Sequence, residues 1–305
     1  MAISFFGKEP LKDPVVLTFG NFDGVHLGHQ EMFSYLKILA QRQNLSTCVL
    51  TFNPHPATVL TAHQPKPLIL SLKNRIRYIL EQNIDTVAVM DFDARVSEWS
   101  ADEFCEYLKE TFQIKGILMG YNLNYGAYRK GNVTHMQTFA QKEEWDTWTM
   151  PEIFTQGQSV SSSHIRRFIT FGHMESAAEF LGRPFSLEGK VVRGDGRGKV
   201  LGFPTANLEW EEELLPPRGV YSVSVERESG ERLVGVMNCG VRPTATQGRR
   251  FQVETYILDF NEEIYGEHIR YHILKNLRPE IQFSSLEHLK SQITKDIERV
   301  RKEQI

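Results

Sequence analysis

The 305-residue sequence lacks the features of membrane, secreted and nucleic-acid-binding proteins. It has no apolar run near the roughly 20 residues that span a bilayer, and its first ten residues carry charges too early for a signal peptide. The three cysteines, Cys48, Cys105 and Cys239, are widely spaced and fit neither a disulfide framework nor a zinc site. A net charge of −3 supplies no long-range field for nucleic acid or anionic lipid. We therefore expect a cytoplasmic protein that binds neither nucleic acid nor membrane.

The hydrophobic pattern indicates two domains of different class, and the length allows two cores. From residue 15 to about 150, short apolar strands alternate with amphipathic helices, which predicts a doubly wound, Rossmann-like α/β domain. Ser100 with Glu103, and Ser284 with Glu287, predict capping boxes at two helix starts. After residue 183, short β-rich segments and a last amphipathic helix predict an antiparallel β-barrel with a terminal helix. The expected domains are residues 1–183 and 184–305.

Residues 20–29 (GNFDGVHLGH) are the most informative segment, because they follow a predicted strand and precede a predicted helix. Glycines let backbone amides approach phosphate oxygens, and a helix N-terminus offers unpaired donors and a positive dipole end. A purely structural turn is the alternative, but it has no need of two histidines three residues apart. The segment predicts a nucleotide phosphate cradle.

Three further polar segments follow predicted strands or start a helix, and each has an ordinary alternative. Residues 51–56 (TFNPHP) end a strand, where a proline-stiffened loop is the plain interpretation. Residues 120–126 (GYNLNYG) offer amides and aromatic rings to a heteroaromatic ligand, although a simple turn is equally compatible. Residues 160–166 (VSSSHIR) place hydroxyls at a helix start, where they are often only caps.

In the second half, residues 194–207 (GDGRGKVLGFPTAN) combine glycines with a hydroxyl and an amide. Such a stretch suits a phosphate loop with a magnesium ligand, although it is not a Walker motif. A β-hairpin with a bulge is the alternative from these residues alone.

Together these segments resemble the prokaryotic bifunctional riboflavin kinase/FAD synthetase (FMN adenylyltransferase) family. The family motifs GxFDGxHxGH and TFxPHP are intact at residues 20–29 and 51–56. The third family motif, at residues 120–126, has Leu123 and Tyr125 where phenylalanine is usual. The fourth, within residues 160–166, has Ser163 in place of threonine. In the second half the resemblance extends over residues 194–207, 216–221, 235–244 and 277–280.

The resemblance implies that the N-terminal domain is a nucleotidyltransferase that transfers an adenylyl group from ATP to FMN. His26 and His29 would stabilise the transition-state charge. The implied ATP-binding residues are Gly20, Phe22, Asp23, Gly24, His26, Gly28, His29, Ser162 and Arg166. The implied flavin-binding residues of this domain are Asn53, Pro54, His55, Pro56, Asn122 and Tyr125.

For the C-terminal domain the resemblance implies a riboflavin kinase that makes FMN from riboflavin and ATP. Glu254 would be the catalytic base, Thr205 and Asn207 would hold Mg²⁺, and Arg278 would contact the flavin. The implied residues around ATP and magnesium are Gly194, Gly198, Lys199, Thr205 and Asn207. The partners would be small-molecule substrates, and we expect a monomer or a weak homo-oligomer.

Three alternatives remain open from the sequence. The variant third motif permits a monofunctional riboflavin kinase with an impaired adenylyltransferase domain. A nucleotidyltransferase for another phosphorylated substrate would leave the second half unexplained. A regulatory protein that binds flavin or nucleotide without turnover would use both domains only as binding modules.

Overall fold

The computed structural model describes residues 4–6, 11–60, 67–194, 196–210, 214–243 and 249–303. Its contacts divide the chain into two compact units, Met1–Ser162 and Ser163–Ile305. The expected boundary between the two functional modules, at residue 183, stays a prediction. Within the described residues, no helix is both long and apolar enough to cross a bilayer.

The first unit alternates strands with helices, as the sequence predicts. Its elements in chain order are β1 (Ser4–Phe6), β2 (Leu11–Phe19), α1 (Leu27–Gln43), β3 (Ser46–Asn53), α2 (Pro56–Leu60), α3 (Leu72–Leu80), β4 (Thr86–Asp91), α4 (Ala94–Ser97), α5 (Ala101–Thr111), β5 (Phe112–Gly120), β6 (Asn124–Tyr125), β7 (Gly131–Asn132), α6 (Val133–Lys142), β8 (Asp146–Met150), β9 (Phe154–Thr155) and β10 (Gln158–Ser159).

A six-stranded parallel sheet forms the centre of this unit, in the order β1-β4-β3-β2-β5-β8. The chain winds outward from β2 in both directions, with β3 on one side and β5 on the other. In doubly wound sheets, ligands bind at the carboxyl ends of the strands where the winding direction reverses. The predicted Rossmann-like fold is confirmed, and the end of β2 lies at this switch point.

Local signals explain where helix α5 starts and how it packs. Ser100 Oγ accepts the amide of Glu103 at 3.2 Å, and the Glu103 carboxylate accepts the amide of Ser100 at 2.7 Å. The predicted capping box is therefore confirmed. The helix buries Phe104, Cys105 and Leu108 in a core that also contains the inner residues of β2, β3 and β5.

The second unit consists of two helices, a barrel with a third short helix between its first two strands, and a terminal helix. Its elements, the first of which begins at the last residue of the first unit, are α7 (Ser162–Thr170), α8 (Met174–Leu181), β11 (Phe185–Val192), α9 (Arg197–Leu201), β12 (Ala206–Trp210), β13 (Gly219–Arg227), β14 (Arg232–Pro243), β15 (Arg249–Ile257), β16 (His268–Pro279) and α10 (Leu286–Glu303).

The six strands close into an antiparallel barrel in the order β11-β12-β15-β14-β13-β16, and β16 pairs back with β11. This closure confirms the predicted barrel and leaves no free edge among these strands. Along β15, Val253, Thr255 and Ile257 are buried inside, while Glu254 and Tyr256 alternate to the outer face.

Helix α10 covers part of that outer face with an apolar stripe. Ile297 and Val300 join one buried cluster with Val220, Val236 and Leu277 of the barrel. The predicted terminal helix is therefore present and packs as expected. Its cap differs by one residue, because Ser285 rather than Ser284 accepts the helix amide, from His288 at 3.2 Å.

A polar network links three barrel strands on their outer side. The Glu226 carboxylate contacts His272 at 2.8 Å and Arg270 at 2.9 Å, and Arg270 also contacts Glu188 at 3.0 Å. Burial lowers the pKa of His272 below 6.5, and the charges of Arg270 and Arg232 lower it further. Glu226 has the opposite effect on this pKa but does not outweigh them. Burial alone would raise the pKa of Glu226, but His272, Arg270 and Arg232 outweigh it and lower this pKa below 4.5.

These shifts predict that acid weakens the barrel. Both groups bind fewer protons in the folded state than in the unfolded state, so their contribution is complete above pH 6.5 and declines as the pH falls through the lowered folded-state values. As the pH falls from about 7 to about 5, the amides of β13 and β16 should lose protection, so their exchange should slow less than the intrinsic rate does. His272→Gln should reduce that loss of protection, as measured by hydrogen exchange mass spectrometry. An equal loss in the variant would contradict this origin.

Candidate active sites

The turn after β2 has a backbone that few residues adopt. Phe22, Gly24 and Val25 have φ values of 47°, 89° and 42°, so three of four consecutive residues are left-handed. Glycine tolerates this region, whereas a β-branched valine there is strained, and such strain clusters at functional sites. The buried Phe22 ring fixes the turn by packing against Phe33 at a centroid distance of 5.1 Å.

Asp23 anchors the turn through its carboxylate. That carboxylate is 2% exposed and accepts the amides of Ile69 at 3.0 Å and Leu70 at 3.2 Å. Ser162 Oγ donates to the carbonyl of Asp23 at 2.7 Å. The structure therefore brings Ser162 to the turn, as the predicted site requires. A direct contact of Asp23 with ATP stays a prediction.

His26 and His29 lie together where α1 begins. Their rings stack with centroids 3.6 Å apart and an angle of 18° between planes. A Cβ on Gly28 would lie 3.3 Å from the His26 ring, so glycine gives this ring room against the helix start. The two imidazoles stand beside the amide end of α1, where the helix dipole favours anions.

The end of β3 lies beside this turn because β2 and β3 pair in parallel. Thr51 Oγ1 donates to the carbonyl of Asn21 at 3.3 Å. His55 is 8% exposed, and its Nδ1 accepts the amide of Ala57 at 3.1 Å. The segment from Asn53, the last residue of β3, to Pro56, the first residue of α2, thus lies at the same sheet edge, with a cis bond between Asn53 and Pro54.

The end of β5 completes the edge, but its aromatic residue turns inward. Tyr125 packs its ring against Phe104 and Phe19 at 5.4 and 5.7 Å. Its hydroxyl contacts His135 Nδ1 at 2.7 Å, and burial raises its pKa. Tyr125 is therefore held within the core of the unit, whereas Asn122 is exposed at the strand end. Flavin contacts of both residues stay predictions.

Arg166 does not belong to the first unit. It lies in α7, beyond the division at Ser162. Its assignment to the ATP site therefore stays a prediction that rests on the sequence resemblance.

The sequence gives little sign of Arg75, which contacts two of these segments. Arg75 lies in α3 and is 1% exposed, with Nη1 3.0 Å from the Asn21 carbonyl and Nη2 2.7 Å from the Phe52 carbonyl. Burial lowers its pKa, and the charge of Asp23 opposes that effect. Nothing in the sequence of α3 distinguishes Arg75 from the other polar residues of the helix, Lys73, Asn74 and Arg77.

The second candidate site is built by strand register on the outer face of the barrel. Glu254 of β15 pairs with Asn207 of β12 on one side and with Asn238 of β14 on the other. Because paired residues in adjacent strands share a face, a carboxylate stands between two amides. The sequence resemblance named Glu254 and Asn207, and the register adds Asn238.

Glycines allow the loop before β12 to cover these groups closely. A Cβ on Gly194 would clash with the side-chain nitrogen Nδ2 of Asn207. A Cβ on Gly198 would lie 2.4 Å from the Phe203 carbonyl oxygen and 3.2 Å from Thr205 Oγ1. Side chains at both positions would therefore open the loop away from Asn207 and Thr205. Asp195, within this loop, lies outside the described residues.

Two adjoining cavities of different character meet at Glu254. One, of about 430 Å³, is lined by glycines and polar groups that include Lys199 and Asn207. The other, of about 570 Å³, has mainly apolar walls that include Phe203 and Tyr256. The residues that line both cavities are Gly198, Thr205, Asn238, Glu254, Glu280 and Leu289.

Arg278 lines the apolar cavity and is held by helix α10. Its guanidinium makes a charge-assisted pair with Asp296 at 2.8 Å, and Asp296 is 5% exposed. Gln292 donates to the same carboxylate at 2.9 Å. The carboxylate of Asp296 thus fixes the direction in which Arg278 faces the cavity.

The donor set suits a hard cation held jointly with phosphate. The described residues contain no group of three histidine, cysteine or acidic side chains that could hold a metal alone. Around the polar cavity, Thr205, Asn207 and Glu254 offer hydroxyl, amide and carboxylate oxygens. Mg²⁺ is commonly bound by one or two such groups together with substrate phosphates, so these residues fit it.

Comparisons with known proteins agree with this geometry. The protein-family model described as FAD synthetase matches residues 8–164, and the family model described as riboflavin kinase matches residues 181–304. A crystal structure described as a macrolide-efflux protein from Streptococcus pneumoniae is 28% identical, with a TM-score of 0.88 and 98% of each chain covered.

Curated relatives named "Bifunctional riboflavin kinase/FMN adenylyltransferase" match nearly the whole length. The relative from Escherichia coli (strain K12) is 34% identical, with 92% of this chain and 90% of its own covered. That from Listeria monocytogenes is also 34% identical, with 94% and 91% covered. With both modules matched at this identity, the chain belongs to the family of bifunctional riboflavin kinase/FMN adenylyltransferases.

Proposed function

We propose that this chain phosphorylates riboflavin to FMN in its barrel unit and adenylylates FMN to FAD at the sheet edge of its first unit. The observation that carries the proposal is the position of Glu254 at the meeting point of a polar and an apolar cavity. A phosphate chain fits the first cavity and a flavin ring fits the second. The group to be transferred would then lie beside a carboxylate. Matches to both modules favour two activities over a monofunctional or non-catalytic protein.

In the kinase reaction, the terminal ribityl hydroxyl of riboflavin attacks the γ-phosphorus of ATP. A hydroxyl needs to lose its proton as the new bond forms, and Glu254 accepts it. The bond between the γ-phosphorus and the bridging oxygen breaks, which gives FMN and ADP. Lys199 and the loop amides around Gly194 and Gly198 bind the phosphates, and Arg278 faces the flavin.

Thr205 and Asn207 would hold Mg²⁺ together with the phosphates. When bound, the cation neutralises phosphate charge and orients the transferred group. Asn238 and Glu280 line both cavities and therefore border the space in which the phosphoryl group is transferred.

In the adenylyl transfer, the FMN phosphate attacks the α-phosphorus of ATP, and pyrophosphate leaves. No enzyme base is required, because the phosphate is already an anion. His26 and His29 at the start of α1 stabilise the charge of the reacting phosphates, and Ser162 Oγ holds the turn at Asp23. Asn53, Pro54, His55, Pro56 and Asn122 border the flavin side.

We further infer a cytoplasmic enzyme that works as a monomer or a weak homo-oligomer. Cys48, Cys105 and Cys239 are all buried and unlinked, which agrees with a reducing compartment. Burial raises the pKa of the Cys105 thiol to about 11 and that of Cys239 to about 12, so both stay protonated at neutral pH.

Glu254→Gln should lower the rate of FMN formation about 10²- to 10⁴-fold, because the amide keeps the shape but does not accept the proton. Conversion of FMN to FAD should stay at the wild-type rate. Chromatography of FMN and FAD after incubation with Mg-ATP measures both. Glu209→Gln, an exposed glutamate of β12, is the matched control and should leave both rates unchanged. Unchanged kinase activity in Glu254→Gln would exclude its role as the base.

His29→Ala should have the opposite pattern. Loss of one imidazole beside the phosphates should lower FAD formation about 10²-fold or more, by analogy with the removal of one charge-stabilising group. The kinase rate measured in the same chain is the internal reference, and His288→Ala in α10 is a control on the surface. Parallel loss of both activities in a folded His29→Ala protein would contradict two separate sites.

A further inference from the structure

Arg75 takes no direct part in either proposed reaction, and its burial is unusual for a cation. It is the largest of the described side chains that are less than 2% exposed. Burial of an arginine is costly unless its donors are satisfied. A residue kept in such a place therefore needs a structural or functional reason.

The guanidinium joins two chain segments that are about 30 positions apart in sequence. Nη1 donates to the Asn21 carbonyl at 3.0 Å and Nη2 donates to the Phe52 carbonyl at 2.7 Å. Two donors at a fixed angle on one planar group hold the two carbonyls at a fixed separation. A lysine carries its donors on a single nitrogen and lacks this rigid fork.

Each carbonyl belongs to a segment with a proposed ligand. Asn21 lies in the ATP turn and immediately precedes Phe22, whose φ is 47°. Phe52 immediately precedes the flavin segment at residues 53–56. Thr51 Oγ1 also donates to the Asn21 carbonyl, at 3.3 Å, so this oxygen is held by two donors.

The same stretch of chain that carries Arg75 also holds the other end of the turn. The amides of Ile69 and Leu70, shortly before α3, donate to the carboxylate of Asp23. The charge of Asp23 in turn favours the protonated guanidinium, against the effect of burial. Residues 69–75 thus hold the turn at two points, the Asn21 carbonyl and the Asp23 carboxylate.

We propose that Arg75 is a positioning residue of the adenylyltransferase site, which sets the distance between the ATP turn and the flavin segment. The inference rests on the proposed function of these two segments. At 1% exposure, Arg75 does not touch either substrate and acts through the carbonyls of Asn21 and Phe52. Alignment matters especially here, because the reaction uses no enzyme nucleophile and depends on the approach of two phosphates. A misplacement of about 1 Å is enough to lower a rate about 10²-fold.

The test is Arg75→Lys in the full chain, with steady-state kinetics of FAD formation from FMN and Mg-ATP. The positive charge is kept, but the two-carbonyl bridge is lost. We expect kcat for FAD formation to fall about 10- to 100-fold, while KM for ATP and for FMN change less than about threefold, because each segment still binds its own substrate. The kinase reaction of the same protein should keep its rate.

Arg77→Lys is the matched control, because Arg77 lies in the same helix, is partly exposed and pairs with Glu81 at 3.4 Å. It should leave both reactions unchanged. Arg75→Gln is a second probe, because its planar amide is neutral, shorter than the guanidinium and unable to bridge both carbonyls. It should lower kcat for FAD formation at least as far as Arg75→Lys does, and it tests the proposal where Arg75→Lys does not fold.

Two results would overturn the proposal: a folded Arg75→Lys protein with wild-type kcat for FAD formation, or a parallel loss of both reactions in that protein. Wild-type kcat for FAD formation in a folded Arg75→Gln protein would overturn it equally. Failure of the wild-type chain to make FAD from FMN would instead contradict the proposed function, so the two failures are distinct.

Discussion

Parallel pairing of β2 with both β3 and β5 is the constraint on which the first unit depends. It directs the carboxyl ends of these strands to one edge, so residues from positions 19, 53 and 120 meet there. It also forces each connection to cross over a face of the sheet, which gives the helices that bury it. The site is therefore a consequence of topology, and the loops supply its chemistry.

The barrel reaches its site by a different physical route. Antiparallel strands alternate their side chains between two faces, so Glu254 points out of the barrel while Val253 and Thr255 fill its interior. The glycine loop before β12 and helix α10 then cover the outer face and create the two cavities. Catalytic groups can thus change on the outer face without altering the packed interior.

The elements with strong periodic patterns are those that the sequence predicts well. The alternation of strands and helices, the barrel and the Ser100 capping box are all confirmed. Prediction is weaker where burial depends on a distant partner. In α3 the spacing of Leu72, Ile76, Ile79 and Leu80 predicts the helix, and Ile79 is fully buried. Asn74 and Arg75, however, are more deeply buried than Leu72 and Ile76. Their depth depends on strand ends that no local pattern encodes. The inward turn of Tyr125 depends in the same way on His135.

The acidity of the two nucleophiles explains why the two sites differ in residue type. A ribityl hydroxyl is a poor nucleophile until its proton leaves, so the proposed kinase reaction needs a carboxylate. Glu254 stands where the two cavities of the barrel unit meet. An FMN phosphate is already ionised, and the negative charge of a carboxylate beside it would repel it. The one carboxylate of the turn after β2, that of Asp23, is bound by the amides of Ile69 and Leu70, and the groups at the start of α1 are imidazoles. In the proposed reactions, one site removes a proton and the other holds two anions together.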